Sequence, residues 1–193
     1  MRVAVIGKGR ALSAIAAGLS RTGNEIKFGH RDPSEPVNEA AKWGEIIVLA
    51  VPFSEVEDAA QEIGSAADGK ILIDVTNPIS KDMSLAVGFS TSAGEEVQKL
   101  LPKAHVVKAF NTVFSRNQST GRVGDTKLTA FVAADDAEAK RTVMHLTEAI
   151  GFEPVDCGPL RAARYLEPMT MLMMDLAFPL KMGNGIGYKL LKE

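Results

Sequence analysis

Short apolar runs alternate with longer stretches of mixed polarity along the whole chain. The runs are rich in β-branched residues and end at glycine, proline or asparagine, which is typical of buried strands. We predict strands at 3–6, 25–28, 45–50, 70–75, 105–109, 127–133 and 152–156. Because helical stretches separate the strands, the pattern predicts the α/β class: a Rossmann-type, doubly wound, mostly parallel sheet with helices on both faces.

The stretches between the strands predict helices at 11–19, 37–43, 54–67, 92–101, 135–150 and 160–180. Ser54 with Glu57, and Ser92 with Glu95, have the spacing of a capping box at a helix start. Asp135 is a candidate cap for the helix that follows it. No linker or repeat interrupts the 193 residues, so we expect one domain, 1–193, with residues from about 159 to 193 as a small C-terminal helical extension.

Composition excludes several classes of protein. With 22 Lys+Arg against 24 Asp+Glu, the chain lacks the basic footprint of a nucleic-acid-binding protein. Its most apolar late stretch, 169–180, is shorter than the about 20 residues that a membrane-spanning helix needs. Cys157 is the only cysteine, which fits a reducing compartment. The first residues do not have the pattern of a signal peptide, and we expect a cytoplasmic protein with no membrane partner.

A glycine pair, Gly7-Lys8-Gly9, stands where the first strand meets the first helix. A tight turn there needs a residue without a Cβ, and the second glycine lets the backbone approach a pyrophosphate, which the helix N-terminus favours. Lys8 and Arg10 would reach the phosphates or remain solvated loop cations. The strand before the turn and the helix after it favour a dinucleotide-binding βαβ unit over a turn that binds nothing.

Leu12 departs from the G-x-G-x-x-G fingerprint, whose third glycine allows close packing of helix on strand. A leucine at this place, after Ala11, must push the helix outward or turn its side chain toward the cofactor. The altered geometry also motivates an alternative function, in which the chain binds the dinucleotide as a sensor or interaction module without turning it over.

The tip of the second strand presents His30 and Arg31 where an NAD-binding chain usually carries Asp or Glu. The planar fork of Arg31 can pair with a 2′-phosphate, and His30 can donate to the same group. This pattern favours NADP over NAD. The alternative, that Arg31 is an ordinary loop arginine, stays open.

Further candidate cofactor contacts follow the third, fourth and fifth strands, because ligands of open α/β sheets bind beyond the carboxyl ends of the strands. These residues are Val51, Pro52, Phe53, Asn77, Pro78, Ala109, Phe110 and Asn111. The two asparagines would hold the ribose or the nicotinamide carboxamide, or would satisfy nearby backbone groups. The sequence has no Ser/His/Asp arrangement and no His/Cys cluster with metal-ligand spacing, so we predict neither a catalytic residue nor a metal site. This is compatible with hydride transfer between two bound rings, which needs no protein acid or base.

Six segments, in this order, resemble the coenzyme F420-dependent NADP oxidoreductase family: MRVAVIGKGRALSAIAAGL, FGHRDP, EIIVLAVPFSEV, ILIDVTNP, VVKAFNT and CGPLRAARYLEPMTML. The resemblance implies one Rossmann-type domain with a small C-terminal extension. It also implies that the glycine turn holds the pyrophosphate, that His30 and Arg31 face the 2′-phosphate, and that the strand-end residues lie beside the nicotinamide. Leu12 and Lys8 depart from the family pattern.

The resemblance further implies hydride transfer between NADP(H) and a deazaflavin, whereas some relatives reduce flavin or ferric substrates. We therefore expect an NADPH-dependent oxidoreductase whose small-molecule acceptor is a flat redox-active ring, a deazaflavin (coenzyme F420) or a flavin. The methionines at 169, 171, 173 and 174 give the last helix three possible roles, which stay open. They would line the acceptor site, pack against a second copy in a homodimer, or belong to the core.

Overall fold

The computed structural model of the chain describes residues 1–7 and 9–193, and the side chains of all of these except positions 10 and 11. The strands are β1 (Arg2–Ile6), β2 (Glu25–Gly29), β3 (Ile46–Leu49), β4 (Ile71–Asp74), β5 (His105–Lys108), β6 (Arg122–Val123), β7 (Thr126–Lys127), β8 (Thr129–Ala134) and β9 (Glu153–Asp156). A seven-stranded sheet has the order β2-β1-β3-β4-β5-β8-β9. Its strands run parallel from β2 to β5, β8 is antiparallel to β5, and β9 is parallel to β8. The predicted mostly parallel, Rossmann-type sheet is confirmed.

Helices cover both faces of this sheet, as the alternating pattern predicts. They are α1 (Arg10–Arg21), α2 (Val37–Trp43), α3 (Val56–Ile63), α4 (Ala93–Leu100), α5 (Ser115–Gln118), α6 (Ala137–Ile150) and α7 (Ala163–Ala177). Residues of α1 and α6 form the core on one face, and residues of α2, α3 and α4 form the core on the other. Among the described residues, no helix is both long and apolar enough to cross a bilayer.

Two of the predicted helix caps are wrong. Ser54 lies inside a short 3-10 turn, Phe53–Glu55, so α3 begins only at Val56. The cap of α6 is Asp136, whose Oδ1 accepts from the amide of Ala139 at 2.7 Å. Asp135 instead accepts from the amide of Leu160 at 3.0 Å. The two adjacent aspartates therefore bind different amides, and the sequence alone does not show which of them caps the helix. The cap of α4 is confirmed, because Ser92 Oγ accepts from the amide of Glu95 at 3.2 Å.

The C-terminal third differs from the prediction in two places. A small hairpin of β6 and β7 interrupts the expected strand 127–133, because Gly121 and Gly124 adopt positive φ angles of 67° and 56° and turn the chain. Helix α7 ends at Ala177, so the segment that follows is not helical. That segment still packs on the domain, since the hydroxyl of Tyr188 donates to the carbonyl of Met169 at 2.7 Å.

The sheet changes direction at β1, which has β2 on one side and β3 on the other. Helix α1, which connects β1 to β2, and helix α2, which connects β2 to β3, pack on opposite faces of the sheet. A crevice therefore opens beyond the carboxyl ends of β1 and β3. In open α/β sheets such a switch point is the place where ligands bind.

Candidate functional site

Gly7 follows β1 at the switch point, and its backbone geometry explains why this residue has no side chain. Its φ is +127°, and a Cβ there would lie 2.5 Å from the carbonyl oxygen of Ala50. The amide of Gly7 donates to the carbonyl of Gly29 at 2.9 Å, which ties the ends of β1 and β2 together. The turn therefore brings the backbone closer to β3 than any other residue type allows.

Gly9 is the N-cap residue of α1 and has a φ of 154°. None of the described atoms lies within 4 Å of the position that a Cβ would take, so the backbone here is open to an approaching group. The first turn of α1 contains no acidic residue. Lys8 and the side chains of Arg10 and Ala11 lie outside the described part of the chain, so their phosphate contacts stay predictions.

Leu12 points into the core. Its side chain is 3% exposed and belongs to the cluster that includes Val3, Val5 and Ile15. The expectation that it could turn toward the cofactor is therefore wrong, because the apolar side chain is buried beneath α1 instead.

A cleft of about 300 Å³ lies beyond the ends of β1, β2 and β3. Its lining residues are Ile6, Gly7, His30, Arg31, Asp32, Val37, Val51, Glu55, Ala59 and Glu62. The cleft thus brings together the glycine turn, the predicted phosphate-binding pair and one strand-end residue, although these segments are far apart in sequence.

Arg31 lies beside two carboxylates, Glu55 of the 3-10 turn and Asp58 of α3. Its Nη2 donates to Asp58 Oδ2 at 2.7 Å and lies 3.9 Å from Glu55 Oε2, while its side chain is 59% exposed. His30 is occupied too, since its Nε2 lies 2.5 Å from Glu35 Oε2 and its Nδ1 accepts from the amide of Asp32. Both side chains lie at the rim as predicted, but an incoming phosphate would compete with acidic partners for them.

A second cleft, of about 270 Å³, continues along the same edge between the ends of β3 and β4. It is lined by Ala50, Val51, Pro52, Phe53, Val75, Thr76, Asn77 and Ile79. Four of the predicted strand-end residues meet here, and Val51 belongs to both clefts.

A third cavity, also of about 270 Å³, lies beyond β4 and β5 and is closed by α5 and α7; we call it the amide cavity. Its lining residues are Val75, Asn77, Ile79, Phe110, Asn111, Val113, Phe114, Ser115, Gln118, Thr170, Met173 and Met174. Asn77 belongs to the second cleft and to the amide cavity. The three spaces therefore follow one another along the carboxyl edge of the sheet.

The predicted pair of asparagines meets at the mouth of the amide cavity. The amide nitrogen of Asn77 donates to the carbonyl of Asn111 at 3.1 Å, and that of Asn111 reaches Asn77 Oδ1 at 3.1 Å and the carbonyl of Leu166 at 2.9 Å. Both nitrogens therefore satisfy groups of the protein, as the second of the two interpretations expects. Other predicted residues of these loops are largely core: Ala109 is fully buried, Phe110 is 1% exposed and Pro78 is buried.

Sequence reasoning missed a charged network beneath the amide cavity. The ammonium of Lys108 lies 2.8 Å from Asp74 Oδ2 and 2.8 Å from Glu167 Oε1, and all three side chains are buried. Burial alone would lower the pKa of Lys108, but the two carboxylates outweigh it and raise that pKa above its usual value. Glu167 also accepts from the amides of Ala93 and Gly94, at 2.9 and 3.2 Å. The network fixes α7 and α4 to the ends of β4 and β5.

Comparison with known proteins agrees with this arrangement. The sequence model of a family described as "NADP oxidoreductase coenzyme F420-dependent" matches residues 2–78. An F420-dependent NADP reductase of Methanothermobacter marburgensis is 28% identical over 91% of this chain and 92% of its own length. The crystal structure of a putative F420-dependent NADP-reductase from Arthrobacter sp. FB24 superposes with a TM-score of 0.93, at 25% identity, over 100% of both chains. The chain is therefore similar to F420-dependent NADP reductases over almost its whole length, and the family's sequence model matches its first part, residues 2–78.

A metalloreductase is also similar in sequence to this chain. Metalloreductase STEAP3 of Rattus norvegicus is 30% identical over 90% of this chain. The chain spans only 37% of the length of that protein, so the similarity concerns one part of the metalloreductase.

The F420-dependent NADP oxidoreductase family pattern identified the glycine turn and the loops, but not the whole of the amide cavity. Gln118 and Thr170 line it. Gln118 stands outside every segment that we singled out, and Thr170 belongs to CGPLRAARYLEPMTML but was not among the candidate site residues. The methionines of α7 were the feature of the sequence that could have indicated this cavity. Met173 and Met174 line it, so their position agrees with the acceptor-site interpretation of these two residues. Met173 is also 2% exposed and therefore part of the packed interior.

Proposed function

We propose that the chain is an NADPH-dependent oxidoreductase that passes a hydride to a flat, uncharged ring such as a deazaflavin or a flavin. The observation that carries the proposal is the continuous series of clefts along the carboxyl edge of the sheet. It runs from Arg31 past Val51 and Asn77 to α7. An extended dinucleotide needs such a path from its 2′-phosphate to its nicotinamide.

The residues at the switch point fit a pyrophosphate. Gly7 and Gly9 leave room for close approach, and the N-terminus of α1 presents amide groups and the positive end of its dipole. When bound, NADPH supplies a hydride from its nicotinamide to the acceptor, which takes up one proton from solvent, and NADP⁺ remains. The chain's own part is to hold the two rings face to face and to exclude water between them.

Arg31 supports the choice of NADP, since it is the one Lys or Arg among the described residues that line the first cleft. A 2′-phosphate would replace the carboxylate of Asp58 as its partner, and the stronger, doubly charged phosphate favours that exchange. No acidic residue occupies the tip of β2 itself, where an NAD site presents its carboxylate.

The acceptor would lie in the amide cavity, next to the nicotinamide. Its lining residues carry no charge, and Met173 and Met174 present polarisable thioethers that pack well against ring systems. A neutral, flat acceptor fits these walls better than a hydrated metal ion does. For the alternative of a sensor without turnover, the buried Leu12 leaves only an outward displacement of α1 as motivation. The space of the amide cavity, where a second ring would fit, favours turnover instead.

A two-part experiment tests the proposal. Affinities for NADPH and NADH are measured by isothermal titration calorimetry in the wild type, in Arg31→Ala and in Arg141→Ala, which removes an arginine of α6 far from the clefts. We expect Arg31→Ala to weaken the binding of NADPH by about 1.5–3 kcal/mol and to change the binding of NADH little. Arg141→Ala should leave both affinities unchanged. Equal losses for both nucleotides in Arg31→Ala would contradict the assignment of the 2′-phosphate.

The second part measures NADPH oxidation with a panel of deazaflavin, flavin, quinone and ferric acceptors. Turnover is expected with the flat ring acceptors that carry no charge on the ring. Absence of turnover with every ring acceptor, under conditions where NADPH binds, would overturn the proposed activity.

The homodimer stays a prediction. Tyr165, Leu172 and Phe178 on or next to α7 are 69%, 55% and 58% exposed, so an apolar surface is available for a second copy. Light scattering after gel filtration measures the mass in solution, and a mass of one chain across the micromolar range would exclude the dimer.

A further inference from the structure

Two residues that line the amide cavity each have a buried side-chain oxygen atom without a hydrogen-bond partner in the protein. These atoms are Asn111 Oδ1 and Gln118 Oε1, and their residues are 4% and 2% exposed. Among the described residues these are the two buried side-chain atoms in that condition. Both residues line the same cavity.

The orientation of each amide group is fixed by its nitrogen. Gln118 Nε2 donates to the carbonyl of Val113 at 3.0 Å, and Asn111 Nδ2 faces the carbonyl of Leu166 and the hydroxyl oxygen of Thr170. Turning either amide over would place its oxygen against another oxygen. The carbonyl oxygens are therefore fixed as acceptors that the protein itself leaves unsatisfied.

Leaving a buried acceptor unpaired is costly, and native structures contain few such groups without a reason. The cavity is otherwise lined by apolar residues and by Asn77, Ser115 and Thr170. Two unpaired acceptors on residues of one such cavity indicate an occupant that donates hydrogen bonds. The cavity carries no charged residue, so the occupant itself is neutral there. A ring with an N–H in its plane, such as the imide N–H of a flavin or deazaflavin, combines an apolar face with a donor at its edge.

We infer that Gln118, together with Asn111, selects an acceptor ring by accepting a hydrogen bond from its imide N–H. This inference rests on the proposed function and adds a requirement to it: flat acceptors without a donor, such as quinones, bind less well. Gln118 is thus a specificity-determining residue of the acceptor site, contributed by the short helix α5.

The test uses lumiflavin, its 3-methyl analogue, which lacks the imide N–H, and its 10-ethyl analogue, which adds one carbon elsewhere and keeps the N–H. Dissociation constants are measured by fluorescence quenching, with NADP⁺ present. In the wild type we expect the 3-methyl analogue to bind about tenfold more weakly than lumiflavin, and the 10-ethyl analogue to bind within about threefold of it.

The protein variants separate the hydrogen bond from steric exclusion. Gln118→Met removes the acceptor at similar length, and we expect the preference for the N–H to fall below about threefold. Asn117→Ala is the matched control, because Asn117 is the neighbouring buried amide of α5 and donates to the tail carbonyl of Ile186 rather than lining the cavity. It should keep the wild-type preference.

Each outcome decides the inference. Four results would overturn it. In the wild type, lumiflavin does not bind, it binds no better than the 3-methyl analogue, or the 10-ethyl analogue binds as weakly as the 3-methyl analogue. In Gln118→Met, the preference for the N–H persists. The wild-type comparison decides even if Gln118→Met does not fold. Preference for the N–H without oxidation of NADPH would contradict the proposed function alone, whereas oxidation by lumiflavin without that preference would contradict this inference alone.

Discussion

The carboxylate of Glu167, on α7, lies 2.8 Å from the ammonium of Lys108 at the end of β5, and both side chains are buried from solvent. Asp74 lies at the same distance on the other side of the ammonium. Lys108 also donates to the carbonyl of Thr76 at 2.5 Å. This lysine therefore binds the strand ends to the helix that closes the amide cavity.

Replacing Glu167 by glutamine should lower the free energy of unfolding by roughly 3 kcal/mol, the low end for breaking a buried ion pair, because Asp74 still faces the ammonium. Lys108→Met should cost more, because it leaves two buried carboxylates facing each other. The measurement is urea unfolding at pH 7.

The pH dependence of Lys108→Met distinguishes this explanation from a simple packing defect. Burial and the charge of Asp74 raise the pKa of Glu167, and Lys108 opposes them. Without the ammonium that pKa rises further, so the folded variant binds a proton more readily than the unfolded chain. The loss of unfolding free energy in Lys108→Met, relative to the wild type, should therefore become smaller as the pH falls from 7 to 5. A deficit that stays constant over this range would indicate lost packing alone.

The pair of Arg31 and Asp58 gives a prediction on cofactor affinity. Asp58→Asn removes the carboxylate that a 2′-phosphate must displace, so NADPH should bind about three- to fivefold more tightly, as expected for one exposed ion pair. NADH, which has no 2′-phosphate, should change less than about twofold. Calorimetric titration measures both affinities.

Glu57→Gln is the matched control, since it removes a neighbouring carboxylate of α3 and leaves Asp58 on Arg31. It should change NADPH affinity less than Asp58→Asn does. If the two variants increase the affinity for NADPH equally, the increase comes from the overall negative charge of α3. The explanation by exchange of Asp58 for the 2′-phosphate at Arg31 would then be wrong.

The elements that periodicity and glycine placement define were predictable from the sequence, whereas long-range side-chain partners were not. Strands β1, β3 and β4 are mainly apolar runs with clear ends, and Gly7 stands at a turn whose φ of +127° favours glycine. In the sequence, nothing distinguishes Lys108 from the other polar residues of VVKAFNT. Its partners, Asp74 and Glu167, are 34 and 59 residues away along the chain. The same limit applies to Arg31, whose acidic partners lie beyond the next strand along the chain.

The cap of α6 shows a different limit. Asp135 and Asp136 have identical side chains in adjacent positions, and only the path of the backbone decides which one caps the helix. The amide cavity is a third case, because it depends on how α5 and α7 close over loops from distant strands.

Gly7 supports a prediction that separates backbone strain from a clash. Gly7→Ala should cost more than about 2 kcal/mol in the free energy of unfolding and abolish nucleotide binding, because the new Cβ meets the carbonyl of Ala50 in a conformation that already costs roughly 1–3 kcal/mol. Gly69→Ala is the control: its φ is +71°, but none of the described atoms lies within 4 Å of the added Cβ. It should cost only about 1–2 kcal/mol.

Chemical unfolding and NADPH titration check both glycine variants. Equal destabilisation would mean that strain alone explains Gly7. Retained NADPH affinity in a folded Gly7→Ala protein would show that the turn does not form the pyrophosphate site.

The pair of Glu95 and Arg164 predicts how stability depends on acid. Arg164 binds Glu95 through two hydrogen bonds, of 2.8 and 2.6 Å, which join the start of α7 to the start of α4. These bonds, opposed by burial, hold the pKa of Glu95 below its usual value of 4.5. The unfolded chain therefore takes up a proton at a higher pH than the folded protein, and the stabilisation present above pH 4.5 is lost as the pH falls through the folded pKa.

A double-mutant cycle with Glu95→Gln and Arg164→Met measures that contribution directly. Other carboxyl groups also respond to acid, but they cancel in the coupling between these two residues. The coupling should be favourable at pH 7, decrease below pH 4.5 and approach zero once Glu95 is protonated in both states. A coupling that is the same at pH 7 and pH 3 would show that packing of the two side chains, rather than their charge, joins α7 to α4.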